Sequence, residues 1–201
     1  TQLEPFLKEV EGFAMKDYAN ALAQGTTLSK AERQAIAEKL HAYTGLPVSY
    51  ILKANLRIDG GEFEKTLQDD ADTTMGRLDT RFSGPTMDPL SKEADYDPQS
   101  AAISSAYVSA FNDYVRKTLK FGQDKMYRPS AELWKSWDFK HQPPGAERPL
   151  QQATNTMPDL ATAMKYNPDL RILLTGGYFD LATPFYECWY EMHQLRIPER
   201  L

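Results

Sequence analysis

The hydrophobic pattern of the N-terminal half predicts helices with defined ends. Apolar residues recur at helical spacing over residues 4–23, and Gly25 lies beyond the last of them. Ser29 and Glu32 have the spacing of a capping box, in which the serine side chain and the glutamate side chain each bond the other residue's backbone N–H. This box predicts the start of a second helix, and Gly45 is the residue expected to close it.

Residues 76–82 alternate with a period of two, which is typical of a short strand or an extended edge segment. The two alternating sets are Leu78, Thr80 and Phe82 on one side and Arg77, Asp79 and Arg81 on the other. The two arginines could bind a carboxylate through paired hydrogen bonds. We favour the simpler interpretation, a ladder of ion pairs on the surface, and the sequence does not assign a role to these three residues.

A long helix is predicted after an exposed, proline-rich loop at residues 84–98. Apolar and small residues keep helical spacing from Ile103 to Leu119, and Gly122 follows as the expected end. Such a stripe is more typical of a protein core or a domain interface than of a cofactor site.

Residues 127–149 are rich in aromatic residues and proline, and they include Trp134, Trp137 and Phe139. A binding surface and simple packing against neighbouring helices explain these aromatic residues equally well. The prolines and the glycine of residues 143–149 predict the main boundary of the chain, which divides it into residues 1–149 and residues 150–201.

Beyond this boundary the pattern predicts a helix, a short apolar strand at residues 170–175, a loop and a last helix. Thr183 is expected to cap the last helix, with Pro184 as its first residue. The loop carries Asp180 after two glycines, which is how a parallel sheet places an acid at the carboxyl end of a strand. Because a single strand leaves its edges unpaired, we expect the chain to be incomplete as a folding unit.

Composition describes an ordinary globular chain and argues against two classes of partner. The 201 residues are 41% hydrophobic and 25% charged, and the net charge is -5. Nucleic acids and anionic membranes both attract concentrated basic surfaces. The sequence has no run of Lys or Arg that would form such a surface, so neither is an expected partner. The apolar stretches are shorter than the roughly 20 residues of a membrane span.

The candidate chemistry of the chain is limited to Asp180. The single Cys188 lies on an apolar helical face and is expected to be a buried structural thiol. The sequence contains no motif for binding zinc, calcium, a dinucleotide or a phosphate loop. Asp180 is interpreted as the acid of a serine hydrolase triad, but no serine lies in a Gly-x-Ser-x-Gly turn and no histidine follows in a suitable loop. His41, His141 and His193 are therefore expected to be non-catalytic.

The segment Gly177-Tyr178-Phe179-Asp180-Leu181-Ala182-Thr183-Pro184-Phe185 resembles the acid-bearing segment of the serine carboxypeptidase family, in particular its bacterial branch. The resemblance extends over nearly the whole chain, in order. Its upstream segments are Phe13-Ala14-Met15-Lys16-Asp17-Tyr18 with Ala21-Leu22, Gly45-Leu46, Asn55-Leu56-Arg57-Ile58, Gly76-Arg77-Leu78-Asp79-Thr80-Arg81-Phe82, Asp97-Pro98 and Phe111-Asn112-Asp113-Tyr114.

The resemblance implies a fragment of an α/β-hydrolase that removes residues from the carboxyl ends of peptides, without a cofactor, outside the cell or in the periplasm. Residues 1–149 would be a mostly helical cap, and residues 150–201 would be one α-β-α unit of the parallel core sheet. Only Asp180 matches a catalytic position. The serine would precede Thr1 and the histidine would follow Leu201, so the other segments of the hydrolase are expected partners.

Two other interpretations stay open at this point. The chain could be a non-catalytic helical interaction module that binds through its tryptophan region, although that leaves the Asp180 segment unexplained. It could also be a proteolytically processed chain that pairs with others. The sequence does not indicate the oligomeric state.

Overall fold

The structure is a computed structural model that describes residues 2–150, 154–198 and 200. The chain forms two compact units, Thr1–Ala101 and Ala102–Leu201. The helices are α1 (Leu3–Phe13), α2 (Ala19–Gln24), α3 (Lys30–Thr44), α4 (Val48–Lys53), α5 (Gly60–Thr66), α6 (Pro98–Asp113), α7 (Met157–Tyr166) and α8 (Phe185–His193). π-helical turns follow α1 at Ala14–Tyr18 and α6 at Tyr114–Thr118, and short 3-10 turns lie at Gly25–Thr27, Asp69–Ala71 and Leu133–Lys135.

The helix predictions for the first unit are confirmed. The helical stretch predicted over residues 4–23 is formed by α1, its π-helical turn and α2. The Ser29 hydroxyl accepts a hydrogen bond from the Glu32 N–H at 3.2 Å, and the Glu32 carboxylate accepts one from the Ser29 N–H at 3.1 Å. Gly45 closes α3 with a φ of 80°, which is a left-handed conformation that favours glycine.

The hydrophobic core lies in the first unit, where α1 to α4 pack together. Ala37, Leu46 and Ile51 are completely buried. The other buried members of this cluster are Phe13, Ala21, Leu28, Leu40 and Leu56. In the second unit, the only hydrophobic residues buried among those described are Ala161 and Met164. The burial that stabilises a fold is therefore concentrated in the first unit.

The strand predicted at residues 76–82 is wrong. The strands are β1 (Thr73–Met75) and β2 (Ser83–Pro85), which pair antiparallel, and residues 76–82 form the loop between them. The Gly76 N–H donates to the Phe82 carbonyl and the Phe82 N–H donates to the Asp79 carbonyl, so the loop turns back on itself. The alternation does not reflect strand pairing, and it does not separate buried from exposed side chains either, since Leu78 is exposed and Asp79 is half-buried.

The helix predicted from Ile103 is confirmed by α6, but its apolar stripe is not part of a core in the described structure. Pro98 is the only buried residue described in α6. Tyr107, Phe111 and Tyr114 are all exposed. The hydrophobic pattern therefore predicts the helix, but it does not indicate whether another segment covers the apolar stripe.

The strand predicted at residues 170–175 is also wrong for this structure. These residues are described without helix or strand, between α7 and α8, and Leu173 is 85% exposed. A strand needs a hydrogen-bonded neighbour, and the described residues provide none for this segment. The predicted α-β-α unit is thus a helix, an irregular segment and a helix. Assignment of the chain to an α/β-hydrolase, with its cap and core regions, stays a prediction.

No helix among the described residues combines the length and the apolar character that crossing a membrane requires.

Candidate functional site

Asp180 lies in the irregular segment before α8, where its half-buried carboxylate is held by three hydrogen bonds. Its Oδ1 atom accepts the N–H of Ala182 at 2.8 Å and the N–H of Thr183 at 3.0 Å. Its Oδ2 atom accepts the Thr183 hydroxyl at 2.7 Å. Because both carboxylate oxygens have fixed partners, the orientation of the Asp180 side chain is set by its own loop.

The residues around Asp180 hold this loop against the start of α8. A Cβ atom placed on Gly176 would lie 3.2 Å from both Cα and Cβ of Phe185, so a larger residue would require Phe185 to shift by a few tenths of an ångström. The ring of Tyr178 packs edge-on against the ring of Phe185, with centroids 4.9 Å apart and planes at 86°. Gly176, which precedes the motif, and the aromatic residues Tyr178 and Phe185 within it therefore have a local structural role.

The prediction that Thr183 caps α8 is wrong in detail. The helix begins at Phe185, and Pro184 occupies the capping position with an extended backbone at φ -56° and ψ 131°. The Thr183 hydroxyl instead donates to Asp180. The Asp180 carboxylate is thus the hydrogen-bond acceptor just before the helix, a structural role that the motif does not predict.

Each of the three histidines makes a hydrogen bond within its own unit. His41 Nδ1 lies 2.7 Å from the Leu46 carbonyl oxygen, and His193 Nδ1 lies 2.7 Å from the Trp189 carbonyl oxygen. His141 Nε2 lies 2.7 Å from Asp159 Oδ2. The His193 contact lies within α8, whereas the His141 contact joins the proline-rich segment to α7.

The pairing of His141 with Asp159 was not predicted. Asp159 lies in the first turn of α7, where the helix dipole favours a negative charge. His141 forms an antiparallel bridge with Leu150, and this bridge brings its ring to the helix. The two residues are 18 positions apart, and no sequence pattern marks contacts at that distance across a loop.

The prediction that Cys188 is buried is wrong, because the thiol is exposed. It lies on α8 beside Trp189, which is also exposed. The helical spacing of the apolar residues predicted α8, but Phe185 and Met192 on the same face are only half-buried.

The aromatic residues of the proline-rich segment are exposed. Trp134 is 70% exposed and Trp137 is 60% exposed, and the Lys135 ammonium lies 5.3 Å from the centre of the Trp134 ring. Phe139 is likewise exposed. Among the described residues these three side chains are not buried, and the binding-surface and packing interpretations both stay predictions.

Asp79 and Arg81 form a local ion pair in the loop between β1 and β2. The Arg81 guanidinium donates to Asp79 Oδ1 at 2.9 Å and to Oδ2 at 2.7 Å. These hydrogen bonds hold the pKa of the Asp79 carboxyl below its usual value. The geometry agrees with the surface ion-pair interpretation for Asp79 and Arg81, whereas the Arg77 backbone N–H donates to Asp97 Oδ1 at 3.3 Å.

Among the described residues, no group of three or more His, Cys, Asp or Glu side chains is arranged to hold a metal ion.

Comparisons with known proteins do not identify the chain. No family model, curated protein or solved structure matches the chain significantly. The likeness to serine carboxypeptidases therefore rests on the motif residues alone.

Proposed function

We propose that this chain supplies Asp180 as the acid of a Ser-Asp-His triad in a serine carboxypeptidase. The enzyme removes residues from the carboxyl ends of peptides and needs no cofactor, and the serine and histidine lie in segments outside these 201 residues. In this proposal the parent enzyme is an α/β-hydrolase that works outside the cell or in the periplasm.

The observation that carries this proposal is the fixed orientation of the Asp180 carboxylate in a segment that resembles the family's acid-bearing segment. Three hydrogen bonds from Ala182 and Thr183 set its position. A triad acid must be held in this way, because its task is to orient another side chain.

The chemistry of the residue follows from its charge. The ionised Asp180 carboxylate would accept a hydrogen bond from one ring nitrogen of the triad histidine, leaving the other nitrogen directed toward the serine. When the histidine takes the serine proton, the negative charge of Asp180 stabilises the imidazolium. Asp180 itself keeps its charge throughout the cycle.

A serine-directed phosphonate tests this assignment directly. The pure 201-residue chain should not be labelled, because its serines lack the activating histidine and the oxyanion donors of a triad. The complete protein that contains this segment should be labelled at one serine. Stoichiometric labelling of the isolated chain would contradict the proposal.

A second candidate function is a non-catalytic binding module, and the exposure of Trp134 and Trp137 favours it. The coding sequence on either side of the chain distinguishes the two functions. A Gly-x-Ser-x-Gly segment upstream and a Gly-His segment downstream would select the hydrolase. Stop signals at both ends would select the binding module.

A further inference from the structure

An apolar groove of about 470 Å³ lies in the second unit, beside the π-helical turn that follows α6. Its volume is in the range of small-molecule sites, about 300 to 1,000 Å³. The apolar side chains that line it are Phe111, Val115, Leu119, Phe121, Met126 and Tyr127. π-helical turns are rare and frequently lie at functional sites. This groove is separate from the Asp180 loop in sequence.

Hydrogen bonds within the segment hold the groove open in a defined shape. The Arg116 guanidinium donates to the Lys125 carbonyl at 2.8 Å, and the Gln123 side-chain amide donates to the Arg116 carbonyl at 3.3 Å. The rings of Phe111 and Tyr127 are in contact, with centroids 4.9 Å apart. A ligand would therefore meet a groove that is already formed, which lowers the entropic cost of binding.

The rim of the groove is basic, although the whole chain is acidic. Arg116, Lys125 and Arg128 all line it. Residues 111–128 contain five Lys or Arg and two Asp, which gives this stretch a net charge of +3 in a chain whose net charge is -5. A ligand that matches both features has an apolar body and a negatively charged head.

We propose that this groove binds a long-chain carboxylate, with its acyl chain against the apolar wall and its head at the basic rim. An extended peptide would need hydrogen-bond partners for its backbone, whereas an acyl chain needs none. The Asn112 amide, a polar group of the wall, already donates to the Val108 carbonyl. The concave shape suits a single acyl chain better than the flat surface of a bilayer.

Calorimetry of the 201-residue chain with decanoate, below its micelle concentration, tests the proposal. Decanoate should bind at one saturable site, and decan-1-ol should bind more weakly because it lacks the charge. Replacing Lys125 and Arg128 together with glutamine should weaken decanoate binding about three- to tenfold, since exposed charge pairs contribute modestly. Both residues are exposed, so the fold should be unaffected.

Matched control variants keep the test specific. Lys117→Gln with Lys120→Gln makes the same change in charge in the same stretch, but neither side chain lines the groove, so decanoate affinity should change less than about twofold. Met126 is 84% exposed. Met126→Glu should therefore weaken binding by charge repulsion more than Met126→Gln, which has the same size and no charge.

Several results would overturn the proposal. These are the absence of saturable decanoate binding, equal affinity for decan-1-ol, and equal effects of the rim pair and the control pair. Binding to phosphatidylglycerol vesicles without binding of free decanoate would show that the segment contacts a membrane surface instead.

Discussion

Asp180 illustrates how one side chain can have a structural and a proposed catalytic role. Its carboxylate accepts two backbone N–H groups and one hydroxyl just before α8. The sequence motif identified the residue, but it did not indicate these partners, because they depend on how the loop turns before the helix. Any substitution of Asp180 therefore has to be checked for folding as well as for activity.

Tyr50 provides a pH-dependent test at the residue scale. Burial, together with a 2.7 Å hydrogen bond to Glu62, raises the pKa of Tyr50 to about 12. The folded chain keeps the phenol proton up to that pH, whereas the unfolded chain loses it near pH 10. The stabilisation is therefore complete below about pH 10 and is lost as the pH rises toward about 12.

Between about pH 10 and pH 12, the unfolding free energy of Tyr50→Phe should fall less steeply with pH than that of the parent chain. The difference between the two slopes should correspond to up to about one proton per molecule, because the variant lacks the phenol that ionises on unfolding. Urea unfolding at several pH values measures this slope. Tyr166→Phe is the control, because Tyr166 is 87% exposed. Identical slopes in the two variants would disprove the effect of the Tyr50 environment.

At the scale of elements, the helices were predictable and the strands were not. The start of α3 follows from Ser29 and Glu32, which are three residues apart, and its end follows from Gly45. These signals are local. The pairing of β1 with β2 depends instead on a loop that folds back through Gly76 and Phe82, and period-two alternation does not reveal such a turn.

Two glycine-to-alanine substitutions test the close packing of the loop between β1 and β2, one in that loop and one in α1 for comparison. A Cβ atom on Gly76 would lie 2.5 Å from the Asp79 carbonyl oxygen, so Gly76→Ala should lower the unfolding free energy by about 1 to 3 kcal/mol. Gly12 in α1 has no atom within 4 Å of such a Cβ. Gly12→Ala should therefore raise the unfolding free energy by about 0.5 to 1 kcal/mol.

Urea unfolding followed by circular dichroism compares these two variants with the parent chain. If Gly76→Ala were as stable as the parent, the close approach of Gly76 to the Asp79 carbonyl would be incorrect.

At the scale of the whole molecule, burial is uneven between the two units. The first unit contains the cluster around Ala37, Leu46 and Ile51, whereas Ala161 and Met164 are the buried hydrophobic residues described in the second. The sequence predicted the apolar stripes of α6 and α8, but periodicity cannot tell whether another segment covers a stripe. For the same reason it could not reveal the exposure of Cys188.

Amide hydrogen exchange on the complete 201-residue chain tests this difference. We expect amides in α3 to exchange more slowly than those in α7 and α8, because opening a helix packed in a core exposes more apolar surface. The expected difference in protection is about tenfold or more, which corresponds to roughly 1.4 kcal/mol of opening free energy. Equal protection in the three helices would contradict the uneven distribution of the core.

Whether Asp180 is the acid of a catalytic triad can be measured from the turnover number of a complete protein that contains this segment. The measurement is release of the C-terminal residue from a peptide by the Asp180→Asn variant. Asp169→Asn is the control, since Asp169 is exposed in the segment before the same loop. Circular dichroism should confirm that both variants are folded. We expect a loss of about 10⁴-fold in turnover for Asp180→Asn and little change for the control. Unchanged turnover in a folded Asp180→Asn protein would contradict it.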